Sequence, residues 1–392
     1  MFRLPGYVIA IISDLENAGH EAFIVGGCVR DMIRGAAPKD WDVTTSALPH
    51  EVKALFLRTF DTGIKHGTVS VLVGGNCVEV TTYRIDGEYI DNRRPQSVTF
   101  SQKIEEDLSR RDFTVNAIAY SPTRGFVDPF GGREDIAREV IRCVGCAETR
   151  FGEDALRMLR AVRFASVLGF EPVSDTKHFA KKLRANLAHI SAERVREELV
   201  KLLCGKNIGA LSLLEETGQM EFVLQGRKYP GDLQETIEWL RPSPTDENMR
   251  LALFLARAGD ECANILRDLR FDNKTIRTVS TYVALIFSPL SQNRYEIKKI
   301  LRKVSPEDFE KILDLKKIAC PSPETESLRT EARDILAKGE CFTLRQLAVN
   351  GNDLAAAGVP HGKETGAALE RLLDEVMREP NLNTKEQLLC RL

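Results

Sequence analysis

The spacing of hydrophobic and polar positions changes about a third of the way along the chain. Before residue 140, segments 21–27, 68–73 and 77–83 are rich in β-forming residues and are bounded by Gly or Asn, which predicts strands. Between them, segment 49–56 predicts a helix that begins at Pro49, because a proline at the first helical position lacks only an N–H that would be unpaired.

Helical periodicity dominates from about residue 150 onward. Segments 155–168, 192–203 and 207–217 predict helices, and strand patterns nearly vanish. A first helix near the N-terminus is predicted to place Ile9, Ile12 and Leu15 on one face. We therefore predict an α+β fold in which a head with a small mixed β-sheet is followed by an all-helical remainder.

Length, apolar runs, cysteines and net charge exclude few classes of protein. A chain of 392 residues exceeds what one core usually serves, so we expect two or more domains. No apolar run approaches the ~20 residues needed to span a bilayer, and the first residues lack a signal-peptide layout, so we expect a cytoplasmic protein without a membrane anchor. The 9 cysteines include one CxxC at 143–146 but no second pair that would complete a zinc site. A net charge of −2 leaves nucleic-acid binding open, because a local basic surface suffices for it.

Candidate chemistry begins at a glycine pair. Gly26 and Gly27 follow the apolar segment AFIV and precede a helical run. Such a junction leaves backbone N–H groups free to bind phosphate, although a plain tight turn is the alternative.

Three acidic residues follow in the same predicted head. Asp40 and Asp42 lie two apart, so on a strand they face the same side, where their charges repel unless a cation lies between them. Paired carboxylates suit Mg²⁺ and two-metal phosphoryl transfer. We predict Glu79 as a third catalytic acid, because Val78 and Val80 face the opposite side of its strand; a solvent-facing glutamate is the alternative.

A later helix offers a way to choose a base. Asp154 and Arg157 are three apart, which predicts that they are neighbours on one helix face. Asp only accepts hydrogen bonds and Arg only donates them, so the pair complements the donor and acceptor of cytosine or adenine and opposes those of uracil and guanine. A surface ion pair is the alternative. Arg160 and Arg163 continue the spacing and are predicted to carry positive charge toward triphosphate or RNA.

Seven motifs carry a resemblance to a known family. They are GGCVRD, DWDVTTSALP, TGIKHGTVSV, EEDLSRRDFTVNAIAY, DPFGG, EDALRMLRAVRFAS and ISAERVREEL. Their order and spacing resemble the class II tRNA nucleotidyltransferases, which add CCA to tRNA and include bacterial poly(A) polymerases. The resemblance covers residues 20–205 closely and returns at 349–353 and 380–386.

The resemblance implies a domain order and roles for single residues. It implies a nucleotidyltransferase head at 1–140, a neck with a nucleotide-selecting helix at 141–205, a helical body at 206–290 and a helical, tRNA-binding tail at 291–392. The metal-binding carboxylates of the family fall on Asp40 and Asp42, its nucleotide contacts fall on Gly27, Arg30 and Arg111, and its amino-acid template falls on Asp154 and Arg157. The polar segment 83–95 corresponds to the loop that the family needs for the switch from C to A addition, which argues against a CC-only enzyme.

The expected function is therefore Mg²⁺-dependent addition of C, C and A to tRNA from CTP and ATP, by a monomer. An enzyme that adds only the terminal A stays open. A poly(A) polymerase is disfavoured because those relatives usually carry a longer basic C-terminal extension, whereas this chain stops at Leu392. An inactive RNA-binding protein is disfavoured because Asp40 and Asp42 are present. Eight Lys and Arg against five acids at 293–317 predict either a path for the tRNA backbone or a solvated helix face.

Overall fold

The computed structural model describes residues 3–87 and 97–392, so most of the polar segment 83–95 lies outside the described residues. The chain forms two compact units, the first comprising Met1–Tyr229 with Ile265–Phe271 and the second Pro230–Asn264 with Asp272–Leu392. The finer division at 140, 205 and 290 stays a prediction. Within the described part of the chain, every helix is too short or too polar to cross a membrane.

The first unit contains a mixed sheet of seven strands, which confirms the predicted α+β head. The strands of the first unit are β1 (Ala22–Val25), β2 (Asp42–Thr45), β3 (Thr59–Gly63), β4 (Thr68–Val73), β5 (Asn76–Thr82), β6 (Arg84–Asp86), β7 (Val98–Phe100), β8 (Ala119–Ser121), β9 (Gly125–Val127), β10 (Val140–Ile141) and β11 (Glu171–Pro172). The sheet order is β3-β4-β5-β2-β1-β8-β9. The β2–β5 pair is parallel and the other neighbours are antiparallel, so the sheet is mixed as predicted.

Alternation along β4 and β5 separates the two faces of the sheet. Val69, Val71, Val78 and Val80 are buried on one face. Glu79 lies between two of these valines and is exposed on the other face, as the sequence predicted. One face of the sheet is therefore free to carry chemistry.

The helices of the first unit are α1 (Gly6–Asn17), α2 (Gly27–Ile33), α3 (Pro49–Leu55), α4 (Ile104–Ser109), α5 (Gly132–Ala137), α6 (Ala147–Glu153), α7 (Leu156–Leu168), α8 (Ser174–Lys182), α9 (Ala192–Leu203), α10 (Ser212–Glu216) and α11 (Met220–Val223). Helix α1 buries Val8, Ile11, Ile12 and Leu15, whereas Ile9 is 43% exposed. The prediction for Ile9 was wrong because the apolar stripe starts one residue earlier, at Val8, and continues at i+3, i+4 and i+7.

Segment 141–205, predicted as an all-helical neck, also contains β-structure. Strand β11, which follows α7, pairs in parallel with β10, whose last residue is Ile141, so this segment is not entirely helical. The predicted helix at 207–217 is divided into a 3₁₀ turn at Ile208–Leu211 and helix α10.

Helices make up the regular structure after Tyr229, apart from short 3₁₀ turns. They are α12 (Leu233–Leu240), α13 (Glu247–Phe254), α14 (Glu261–Asp268), α15 (Asn273–Ile286), α16 (Arg294–Lys303), α17 (Pro306–Ala319), α18 (Glu324–Ala337), α19 (Gly351–Ala356), α20 (Lys363–Arg378) and α21 (Lys385–Leu389). Helices α16, α17, α18 and α20 share a core that contains Leu301, Phe309, Ile335 and Leu372. This largely helical C-terminal part confirms the predicted fold class.

Candidate functional site

Parallel pairing of β2 and β5 brings the predicted acids together. Asp42 is the first residue of β2, and its register partner across the sheet is Glu79. Asp40 lies in the bend just before β2. All three line one open cavity of ≈ 510 Å³ on the exposed face of the sheet. The cavity is also lined by residues to which the sequence analysis gave no role, namely Tyr7, Lys39, Trp41, Ser70, Asn76 and Cys77.

The electrostatics of this cavity favour a cation. The Asp42 side chain is open to solvent at the cavity, yet the protein around it still removes part of its hydration. That loss of water, together with the charges of Glu79 and Asp40, raises the pKa of Asp42, and Arg111 opposes the shift. Throughout residues 3–87 and 97–392, His, Cys, Asp and Glu side chains form no group of three that could hold a metal ion by themselves. Mg²⁺ is commonly bound by one or two carboxylates together with water and substrate phosphate, so the pair fits such an ion.

The glycine pair forms a turn that requires glycine at its first position. Gly26 has φ +79° and ψ −130°, a conformation that side chains with a Cβ rarely adopt. A Cβ there would lie 3.1 Å from Arg111 Nη1. Helix α2 begins at Gly27, just after the end of β1. Because β1 pairs with β2, this end of β1 lies beside Asp42. The turn therefore places Arg111 and the start of α2 beside the carboxylates.

Arg30 lies in a buried polar network next to this turn. Its Nη1 donates a 2.7 Å hydrogen bond to Asn116 Oδ1, and its Nε donates to Asp31 Oδ1 at 2.9 Å. Asn116 Nδ2 in turn donates to Asp112 Oδ1 at 3.1 Å. The sequence analysis gave no role to Asn116 or Asp112. The signal for Asn116 was its place as a polar residue in the largely apolar run FTVNAIAY, and Asp112 immediately precedes that run.

The same network reaches helix α7. Arg160 donates two hydrogen bonds to Asp112 Oδ2, from Nε at 2.8 Å and from Nη2 at 2.5 Å. Burial alone would raise the pKa of Asp112, but the charge and hydrogen bonds of Arg160 outweigh it and lower the pKa to about 2.

Arg163 is held in a similar way at the next turn of the helix. It pairs with Glu198 of α9 and lies over the ring of Phe164, 3.8 Å from its centroid. The structure thus pairs Arg160 and Arg163 with buried acids and does not place either among the residues that line the cavity. Their predicted contacts with triphosphate or RNA stay predictions.

Asp154 and Arg157 do not form the predicted pair on one helix face. Asp154 is extended between α6 and α7, and its Oδ1 accepts from the Leu156 backbone N–H at 3.1 Å. Its carboxylate pairs with Arg194 of α9 at 2.8 Å. Arg157 pairs with Glu153 at 2.6 Å and donates to the Arg110 carbonyl at 2.9 Å. The expectation that the two residues are neighbours on one helix face was wrong, because Asp154 lies before the helix begins; their role in base selection stays a prediction.

The basic run at 293–317 is largely neutralised within its own unit. Arg294 pairs with Glu331 and Asp334, and Lys298, only 1% exposed, pairs with Glu340 at 2.5 Å. Further members pair as Lys299–Glu296, Arg302–Glu370, Lys311–Asp246 and Lys317–Glu326, and Lys316 donates to the carbonyls of Leu285, Ile286 and Ser288. Most of this charge is therefore committed to intramolecular ion pairs.

Comparisons with known proteins cover nearly the whole chain. It is 40% identical over 394 residues to a CCA-adding enzyme of Geobacillus kaustophilus, covering 97% of this chain and 94% of that protein. A CCA-adding enzyme of Lactobacillus delbrueckii is 38% identical, with coverage of 94% and 92%. The crystal structure of the Bacillus stearothermophilus CCA-adding enzyme in complex with CTP superimposes with a TM-score of 0.85 at 35% identity, covering 98% of this chain and 95% of that one.

Three family models match separate parts of the chain. Residues 22–142 match the poly(A) polymerase head domain, and residues 169–228 match an RNA- and SrmB-binding region of that polymerase. Residues 243–392 match domain 2 of tRNA nucleotidyltransferases.

Proposed function

The chain belongs to the family of CCA-adding enzymes and poly(A) polymerases, and from this we propose that it adds C, C and A to the 3′ end of tRNA from CTP and ATP, without a template. The observation that carries the proposal is the meeting of Asp40, Asp42 and Glu79 in one cavity beside the Gly26 turn. Carboxylates that can hold a metal ion beside a phosphate-binding turn suit phosphoryl transfer, which depends on positioning and electrostatic stabilisation.

Asp40 and Asp42 are the residues that would hold Mg²⁺. When bound, the ion would neutralise triphosphate charge and favour deprotonation of the attacking 3′-hydroxyl of the RNA. The chain itself supplies the hard oxygen donors, and lost hydration together with the charges of Glu79 and Asp40 raises the pKa of Asp42. Glu79, the partner of Asp42 across β2 and β5, adds a third negative charge to the face that a metal-bound substrate approaches.

The opposite side of Asp42 is suited to the triphosphate. The N–H groups at the start of α2 and the guanidinium of Arg111 lie on the β1 side of the sheet. Backbone donors and an arginine together bind phosphate oxygens without selecting a base. Arg30, whose guanidinium is held by Asn116, adds positive charge next to this turn.

Base selection is assigned to Asp154 and Arg157. Both side chains are anchored, one by Arg194 and the other by Glu153 and the Arg110 carbonyl. Such anchoring gives a donor and an acceptor that do not rotate to suit uracil or guanine, so a mismatched base leaves buried polar groups unpaired.

Extension of defined transcripts tests the proposal. Purified protein is given tRNA ending at the discriminator base, at C or at CC, with CTP or ATP and Mg²⁺, and products are resolved on a sequencing gel. We expect two C and then one A on the first transcript. Extension of only the CC transcript, with ATP, would instead identify an A-adding enzyme. Long A tracts would identify a poly(A) polymerase, and no extension with intact tRNA binding would identify an inactive binding protein.

A further inference from the structure

A single row of side chains crosses the sheet on the face of Asp42 and Glu79, with a buried Ser70 in its middle. Asp42 is paired with Glu79, Glu79 with Ser70, and Ser70 with Phe60. Directly paired residues on neighbouring strands point to the same face. The 2.8 Å contact between the hydroxyls of Thr62 and Ser70 confirms that β3 and β4 share this face. Phe60 therefore lies on the same face as the carboxylates, at the edge of the sheet.

Phe60 is a large apolar side chain left open to solvent. Its side chain is 55% exposed on edge strand β3. Three strand spacings separate it from Asp42, a distance of about 14 Å. That distance is about four stacked base steps at ~3.4 Å each. An aromatic ring at this distance can reach a base near the end of an RNA strand that reacts at Asp42.

The site has two sides, and only one is free for the RNA. The Gly26 turn, the start of α2 and Arg111 all lie toward β1 and β8, where we place the triphosphate. Glu79, Ser70 and Phe60 lie on the opposite side of Asp42, toward β5, β4 and β3. A hydroxyl that attacks the α-phosphate opposite the leaving pyrophosphate must approach from the side away from the β- and γ-phosphates. We therefore place the RNA end over β5, β4 and β3.

We propose that Phe60 is a positioning residue that stacks on a base near the 3′ end of the RNA acceptor. Stacking on an aromatic ring tolerates every base, which suits an acceptor whose terminal nucleotide changes at each addition. The inference rests on the proposed function, because it assumes that RNA is the acceptor. It adds a contact at the sheet edge to the reaction derived above.

A neighbouring cation suits the same strand of RNA. Arg58 immediately precedes β3, and its carbonyl accepts a hydrogen bond from the Leu72 N–H. Its side chain is exposed and has no ion-pair partner in the described ranges 3–87 and 97–392. A guanidinium two residues from the ring can bind the phosphate of the nucleotide whose base stacks on Phe60.

Steady-state kinetics on the full chain test the proposal with tRNA ending in CC. Phe60→Ala should raise the KM for tRNA roughly 5- to 100-fold, the range found for loss of one base–aromatic stack, while the KM for ATP stays within about twofold. Phe60→Trp should restore the KM for tRNA, and Phe60→Leu should not, because leucine keeps the apolar surface without the aromatic face. Leu57→Ala, in a fully exposed residue of the same segment outside the row, should leave both constants unchanged.

Abasic acceptors identify the stacked base. Transcripts with one abasic nucleotide at each of the last five positions are compared in the wild type and in Phe60→Ala, because about four base steps separate Phe60 from Asp42. At one position the two losses should not add, because the variant has already lost the partner of that base. Additive losses at all five positions, an unchanged KM in Phe60→Ala, or full rescue by leucine would each overturn the inference. A wild-type protein that extends no transcript would overturn the proposed function instead, so the two failures are distinguishable.

Discussion

Replacement of Asp112 by asparagine should destabilise the first unit in a pH-dependent manner. Asp112 is buried, and its carboxylate accepts from Arg160, Asn116 and the Phe113 backbone N–H. An amide of the same shape keeps part of this pattern but removes the negative charge. Arg160 then loses its nearest partner and keeps the longer contact with Glu198, at 3.8 Å.

The pKa of Asp112 sets the magnitude of the effect. It falls from an ordinary value of 3.8 to about 2, because the ion pair with Arg160 outweighs the effect of burial. At ~1.36 kcal/mol per pKa unit, the charge contributes about 2–3 kcal/mol to the free energy of unfolding at neutral pH. Because the folded pKa is depressed, this contribution is complete above pH ~4 and is lost as the pH falls toward 2. About half should remain at pH 3.

Urea unfolding followed by fluorescence measures this contribution. Trp41 lies in the first unit and Trp239 in the second, so a Trp239→Phe background reports the first unit alone. Asp112→Asn should cost about 2–4 kcal/mol at pH 7 and distinctly less at pH 3. Asp61→Asn makes the same chemical change in an exposed pair with Lys53 and should cost below ~1 kcal/mol at either pH. A pH-independent loss, or one no larger than that of Asp61→Asn, would refute the reasoning.

Three further outcomes concern the site. Asp42→Asn should abolish both C and A addition, while tRNA binding measured by filter assay is retained. The Asp61→Asn variant should extend tRNA normally. A parallel loss of tRNA affinity in Asp42→Asn would contradict the metal role. Gly26→Ala adds a Cβ 3.1 Å from Arg111 and should raise the KM for CTP and ATP, whereas Gly74→Ala, also at positive φ but with open space around it, should affect stability alone, by ~1 kcal/mol. Arg157→Ala should let UTP and GTP compete measurably with CTP and ATP in mixed-nucleotide extension; slower but equally selective addition would show that the residue is structural.

Local sequence patterns predicted much of the fold. Strand β4 and helix α9 have the predicted bounds, because alternation and helical period are set by which side chains face the core. Ile9 was misplaced by one position on its helix, since several apolar residues in succession leave the phase of the stripe open. The α+β class followed from the same patterns, whereas Asp42 and Glu79 meet through the parallel pairing of β2 and β5, and Asp40 lies in the bend before β2.

Partners that are distant in the sequence were not predictable from local spacing. Arg194 binds Asp154 across 40 positions, and Glu198 binds Arg163 across 35. Asp154 lies outside the helix, where its Oδ1 accepts a hydrogen bond from the Leu156 N–H, a contact that the three-residue spacing does not encode. Family resemblance supplied Arg111, which lies close to Gly26 only after β1 and β8 have paired.

The central position of β1 has a consequence for how the head is made. Residues 22–25 leave the ribosome early, yet one neighbour of this strand, β8, is formed by residues 119–121. Until those residues emerge, an apolar strand has one edge without hydrogen-bond partners, and such an edge is prone to pair with other chains. Long-range pairing of this kind also slows folding. Nascent chains that stall before residue 121 should therefore be the form of this protein most dependent on chaperones.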